Sequence, residues 1–255
     1  EKIFSDKADL SIRGSGDVYI INSDSALETM ERGEKRGTFR SYTAFFGGGR
    51  LRLSGITIAN GAGSGRLAGQ AVALYLDAAR AELEDVTILS HQDTLFLSPL
   101  PDHEREKGGF YGPRHLSERR RTASVFRSCR ISGSVDFIFG GGDALFEDCT
   151  IESVEPGFVA APSGKKDWTG LVFLRSSFVS GGAPDGSVYL MRPWRPEGKA
   201  YFIDCSFGSH IRKEGKCAWE GAARDDSVFR VLSSSDEEAV PVLSFFRSVA
   251  VDDIL

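Results

Sequence analysis

The chain has 255 residues, of which 41% are apolar and 26% charged, with 29 glycines against nine prolines. That composition is ordinary for a soluble protein and leaves room for one sizeable core with many tight turns. A net charge of −5 gives no overall electrostatic reason to bind nucleic acid or an anionic membrane, and no run approaches the roughly 20 apolar residues that cross a bilayer as a helix.

The chain opens on Glu1-Lys2-Ile3-Phe4, with no charged segment leading into an apolar one, so its compartment stays open. Residues 26–36 are the best candidate for a short helix, and no long amphipathic helix stands out. From residue 52 a loose repeat begins. Arg52-Leu53-Ser54-Gly55-Ile56-Thr57-Ile58 is echoed at 82–88, 125–131, 145–151, 173–179 and 201–207. In each copy apolar and polar residues alternate, the signature of a half-buried strand, and a small polar or turn-tolerant residue sits in the middle where the chain can bend. The intervals of 30, 43, 20, 28 and 28 residues are too irregular for a propeller or a leucine-rich repeat. They suit an all-β solenoid, a single-stranded parallel β-helix whose coils each carry an external loop of their own length. The aligned column Ile56, Val86, Cys129, Cys149, Ser177 and Cys205 is then expected to form an inward ladder. Cys129 and Cys149 fall one coil apart, as a disulfide in an oxidising compartment or as two buried thiols. No cysteine or histidine spacing suggests a metal site.

Residues 98–122, with Pro99, Pro101, Gly108-Gly109 and Arg119-Arg120-Arg121, read as a long surface loop. The three arginines are expected to form a solvated face, or to attract a polyanion at long range. Residues 222–255 read as a tail packed on the outside of the solenoid.

Four segments place polar groups inside or beside apolar strands. They are Gly69-Gln70-Ala71-Val72-Ala73-Leu74, His91-Gln92-Asp93-Thr94-Leu95, Gly133-Ser134-Val135-Asp136-Phe137-Ile138-Phe139-Gly140 and Leu190-Met191-Arg192-Pro193-Trp194. A carboxylate at 136, between Val135 and Phe137, is costly unless a partner stabilises it, and Arg192 is the natural bidentate partner.

In these four blocks, and in their order, the chain resembles the pectin methylesterase family. The resemblance implies a right-handed, pectin-lyase-like β-helix over residues 1–255 as a single domain, and a carbohydrate esterase that needs no metal or organic cofactor. It implies Asp136 as the nucleophile on a galacturonate methyl ester and Asp93 as the general acid, then base. Gln70 and Gln92 are implied as oxyanion donors and Arg192 as the group holding Asp136. Trp194, Phe139 and Val135 are implied as substrate contacts. The expected partner is pectin or a methylated oligogalacturonide, bound by a monomer without nucleic acid or membrane. His91 is read as a groove-wall residue with no part in proton transfer, and no G-x-S-x-G nucleophile elbow is present. Some positions depart from the family pattern. Met191 replaces a glycine and is expected to alter the groove floor. The 98–122 loop is longer than usual, and the opening Gly-x-Tyr-x-Glu element is missing, so the first coil looks incomplete or trimmed. Two other readings stay open: a glycosidic hydrolase or lyase on the same scaffold, and a β-helix that binds pectin without turnover.

Overall fold

The computed structural model describes residues 1–250. The backbone winds into stacked coils with strands on three faces, and every strand pairing between coils is parallel. The first face stacks Ile3–Ser5, Ala44–Phe46, Leu74–Leu76, Leu95–Leu97, the second halves of Arg130–Gly140 and Thr150–Pro162, and Val188–Met191. The second face is an eight-stranded sheet from Asp9–Arg13 to Val228–Leu232. The third runs from Tyr19–Asn22 through Thr57–Asn60 and Thr87–Leu89 to Ser206–Phe207. The two long strands bend from the third face into the first and join them as one 12-stranded sheet. This is the parallel β-helix expected from the repeats. Its first coil carries a strand on all three faces.

The bend in each repeat is a left-handed corner between the second and third faces. Gly55, Asp85, Ser128, Asp148, Arg175 and Asp204 all sit at φ between 48° and 61°. For residues other than glycine this conformation costs roughly 1–2 kcal/mol each. A hydrogen-bond ladder offsets the cost: each corner N–H donates to a carbonyl of the next coil, as from Asp85 to Arg127 and from Asp148 to Leu174. The corners also correct the repeat frame. Phe173 pairs with Phe146 and Phe202, so the fifth copy is 172–178 and the inward position is Ser176, not Ser177. The Ser176-Ser177 doublet permits either frame, and the corner itself is Arg175, whose guanidinium bonds Asp148 and Glu147 of the preceding coil. Ser176 is fully buried, donates to the Phe146 carbonyl and accepts from the Cys149 N–H. Cys129 and Cys149 are buried free thiols in the same column. Inside the coils Phe126, Phe146, Phe173 and Phe202 stack at centroid spacings of 4.6–5.0 Å.

Three expectations are corrected. Residues 26–36 form no helix, because Gly33 turns the chain at φ 86° and an antiparallel bridge joins Thr29 to Lys35. The tail is not wholly external: Val228–Leu232 is the last strand of the second face. Beyond it lies the helix Ala239–Ala250, whose Ala239, Val242 and Phe246 pack on Val125, Val172 and Ile203 outside that face. Pro241 stands in its first turn, where no intrahelical N–H bond is lost. Third, Arg119 to Arg121 are only in part the expected solvated face: Arg120 and Arg121 are exposed and Arg119 is half-buried, but none is a free cation. Arg119 donates to the carbonyls of Pro101, Arg114, His115 and Ser117, Arg120 to the Asp77 carbonyl, and Arg121 to the Asp143 carboxylate. They hold the 98–122 loop, together with Arg114, which donates to buried Asp77 at 2.6 Å.

That loop covers an aromatic ladder on the outside of the first face. Phe4, Phe45, Tyr75, Phe96 and Phe139 occupy one register position on successive coils, and Phe110 from the loop and Phe39 from an earlier turn pack over them. Met191 points the other way, fully buried in the solenoid core, so it does not form the groove floor.

Candidate active site

Register brings the two aspartates together. Leu95 pairs with Ile138, and Asp93 and Asp136 each lie two residues before these partners, on neighbouring coils. The Asp93 N–H donates to the Val135 carbonyl at 3.0 Å. Both aspartates are left-handed, at φ 62° and 49°, and the strand Arg130–Gly140 shifts register around Asp136. Strain of this kind, roughly 1–3 kcal/mol each, persists where the surroundings enforce it. The shift lets Phe137 stay in the core while Asp136 faces a cleft of about 340 Å³.

Gln70, Gln92, Asp93, Asp136, Phe139, Arg192 and Trp194 all line that cleft. Gln70 and Gln92 stand on successive coils, tied by the Ala71 N–H donating to the Gln92 carbonyl. Gln92 lies over Gly65, where a Cβ would come within 2.5 Å of its Oε1; glycine is needed there. Arg192 grips Asp136 with two bonds, Nε to Oδ1 at 3.1 Å and Nη2 to Oδ2. Its guanidinium lies between two aromatic faces, Phe158 at 3.8 Å and Trp219 at 4.3 Å. Val135 does not line the cleft: its side chain lies beside Gly157, and its contribution is the carbonyl that holds Asp93. His91 also stands off the cleft, with Nδ1 3.6 Å from the Glu155 carboxylate. Phe139 is the last rung of the outer ladder and reaches the cleft edge against Trp194.

Burial raises the pKa of both carboxyls, to different extents. Asp93 is pushed well above the usual carboxylate range, first by burial and then by the charge of Asp136, with Arg192 opposing. Asp136 is also raised by burial, which outweighs the hydrogen bonds and charge of Arg192. Arg192 limits the rise without reversing it. The order that results has Asp136 ionising first and Asp93 retaining its proton. Among the described residues, no three His, Cys, Asp or Glu side chains cluster as metal ligands.

Sequence reading missed several residues of the cleft. Trp219, Arg105, Arg195, Phe39 and Phe110 also line it. They come from loops and one short helical turn outside the repeat.

Comparison with known proteins gives this geometry a family. Residues 117–233 match the family profile described as Pectinesterase. Pectinesterase 31 of Arabidopsis thaliana is 34% identical over 194 residues, covering 75% of this chain and 53% of that protein. Over these segments the chain is similar to the pectinesterase family. It spans about half the length of the first curated relatives it matches. The pectin methylesterase of Aspergillus niger superposes with a TM-score of 0.71 at 20% identity, over 94% of this chain and 75% of that one. A pectin methylesterase solved with a hexasaccharide gives 0.68 at 22% identity, over 99% and 86%. At these identities the structures speak for the fold, the right-handed parallel β-helix.

Proposed function

We propose that this protein hydrolyses the methyl esters of galacturonate units in pectin, releasing methanol, with the chain acting as a monomer on pectin or a methylated oligogalacturonide. The observation that carries this reading is one cleft holding a buried, arginine-gripped carboxyl beside a second carboxyl that burial raises well above the usual carboxylate range, with two glutamine amides next to them. The match of residues 117–233 to the Pectinesterase profile and the hexasaccharide bound by a structural relative support it.

In this reading the ionised Asp136 attacks the ester carbonyl carbon. Gln70 and Gln92 donate to the oxyanion that forms; neutral amides favour developing charge without fixing a counter-ion in the ground state. The intermediate collapses, the C–O bond to the methoxy group breaks, and Asp93 gives its proton to the departing methanol. An anhydride between Asp136 and the sugar acid remains. Asp93, now a carboxylate, takes a proton from water, whose oxygen attacks the anhydride and frees the galacturonate and Asp136. Trp194 and Phe139 offer apolar faces to the sugar.

Two variants test the supporting parts. Gln92→Ala or Gln70→Ala should lower kcat by roughly 10²- to 10³-fold in a methanol-release assay, the usual effect of losing one oxyanion donor; full activity in both would remove them from this role. Phe158→Leu takes one aromatic face from Arg192. It should slow turnover by roughly 2- to 30-fold, from about 0.5–2 kcal/mol of lost cation–π contact, and move the rising limb of the pH profile upward. A lower melting temperature with an unchanged profile would make Phe158 only a packing residue.

A further inference from the structure

At the corner where the third face passes into the first, the turns 61–73, 90–94, 133–137 and 154–157 lie on successive coils. Gln92 and Asp93 stand on the second of them and Asp136 on the third. The last one bulges. Its strand pairing steps from Gly133–Ser153 to Val135–Phe158, so residues 154–157 leave the ladder, and half-buried Glu155 among them reaches back across the other turns. Its Oε2 accepts from the Ser64 hydroxyl at 3.2 Å and lies 3.6 Å from His91 Nδ1. Ser64 opens the one-turn helix Gly65–Ala68, and its Oγ also accepts the Arg66 N–H at 3.4 Å. Beyond its own turn, segment 63–67 makes no other hydrogen bond among the described residues. This segment backs Gln92: a Cβ on Gly65 would lie 2.5 Å from Gln92 Oε1 and 2.8 Å from Gln92 Cβ. The Gln92 carbonyl is held by the Ala71 N–H, but its side-chain amide has no hydrogen-bond partner among the described residues, so packing against Gly65 sets its direction.

We propose that Glu155 is a positioning residue for the oxyanion donor Gln92, acting through Ser64 and Gly65. Glu155 fixes Ser64, Ser64 starts the helix whose first residue is Gly65, and Gly65 supports the Gln92 side chain. With Oε1 turned against Gly65, the Nε2 end of the amide is left for the cleft, and that end is the donor an oxyanion needs. The same carboxylate meets both flanks of Gln92: His91, which precedes it in the chain, and the segment packed on its side chain. Such a donor acts only if held where charge will develop, and a misplacement of about 1 Å can cost roughly 10²-fold in rate. Glu155 itself does not line the cleft, and the charges that shift the aspartates are Asp136 and Arg192 on Asp93, and Arg192 and Arg105 on Asp136. Its effect on the reaction therefore passes through Gln92. The inference rests on the ester-hydrolase reading and extends it.

The test is a set of double-mutant cycles on methanol release from methyl-esterified pectin, with kcat and KM measured separately. Glu155→Ala and Ser64→Ala should each lower kcat about tenfold, and Gly65→Ala about 10²-fold, with KM held within about twofold of the parent. Gly65 has no left-handed φ, so alanine there strains only the contact with Gln92. Glu155→Gln keeps an acceptor for Ser64 and should retain most of the parent kcat. Combining Glu155→Ala with Ser64→Ala should do no more than either alone. In a Gln92→Ala background none of the alanine variants should lower kcat further by more than about twofold, because the group they position is gone. Glu155→Ala and Ser64→Ala at the parent kcat, or with the same fold loss in both backgrounds, overturn the positioning role alone. A Gln92→Ala protein with full activity removes the donor that Glu155 would position. A parent protein that releases no methanol overturns the ester reading, and the positioning with it.

Discussion

An Asp136→Asn protein is expected to release methanol from esterified pectin at no more than about 10⁻⁴ of the parent rate, the scale of loss when a covalent nucleophile is removed. The substitution keeps the side chain's volume and one oxygen for Arg192, and asparagine tolerates φ 49° as readily as aspartate does. What it removes is the negative charge and the nucleophilic oxygen. Stability should fall by less than the roughly 3–5 kcal/mol typical of breaking a fully buried ion pair. Arg192 is 21% exposed and remains between Phe158 and Trp219. The two measurements to set side by side are methanol release and thermal melting. A folded variant with a tenth or more of the parent activity would exclude Asp136 as the nucleophile.

Asp93→Asn should cost roughly 10²- to 10⁴-fold, the contribution of a positioned general acid and base, and should change the form of the pH profile. In the proposed mechanism parent activity needs Asp136 ionised, so it should rise with pH through the titration of that group. It needs Asp93 protonated, so it falls through the higher titration of Asp93. The residual activity of the asparagine variant should therefore lose its falling limb; a falling limb at the parent's position would assign it to another group. Stability should respond in the opposite direction. The folded pKa of Asp93 lies above its unfolded value of about 3.9. Between the two, the unfolded chain has released a proton that the fold retains, so this group's stabilising contribution is lost as pH rises. Asparagine carries no such penalty. The difference in melting temperature, variant minus parent, should be small near pH 4 and grow towards pH 8.

The architecture was legible because alternation survives in every repeat, and because intervals as unequal as those before and after Cys129 suit a solenoid with external loops. The lining of the cleft was legible at Gln70, Gln92, Asp93, Asp136 and Arg192, where polar residues stand in or beside apolar strands. Three things were hidden for physical reasons. The frame at Ser176 was ambiguous, because an arginine held by two carboxylates occupies a corner that elsewhere takes a small residue. The shift at Asp136 depends on pairing with two other coils, which no local pattern encodes. Trp219, Arg105 and Phe110 reach the cleft from loops, where no periodicity reports direction. The tail helix was overlooked because its apolar spacing, Ala239, Val242, Leu243 and Phe246, is confined to three turns that include a proline.

The left-handed corners divide the chain into segments that count residues and segments that do not. From a second-face strand through the corner to the third-face strand, one added residue would carry every later side chain of that unit to the opposite side of the wall, putting core groups into water. Between the first face and the next second-face strand no such count is kept, and there the 98–122 loop sits. Changes in loop length are therefore confined to the turns on either side of the first face, such as 23–43 and 98–122, which bring Phe39, Arg105 and Phe110 to the cleft. The wall can stay fixed while the rim of the cleft is rewritten.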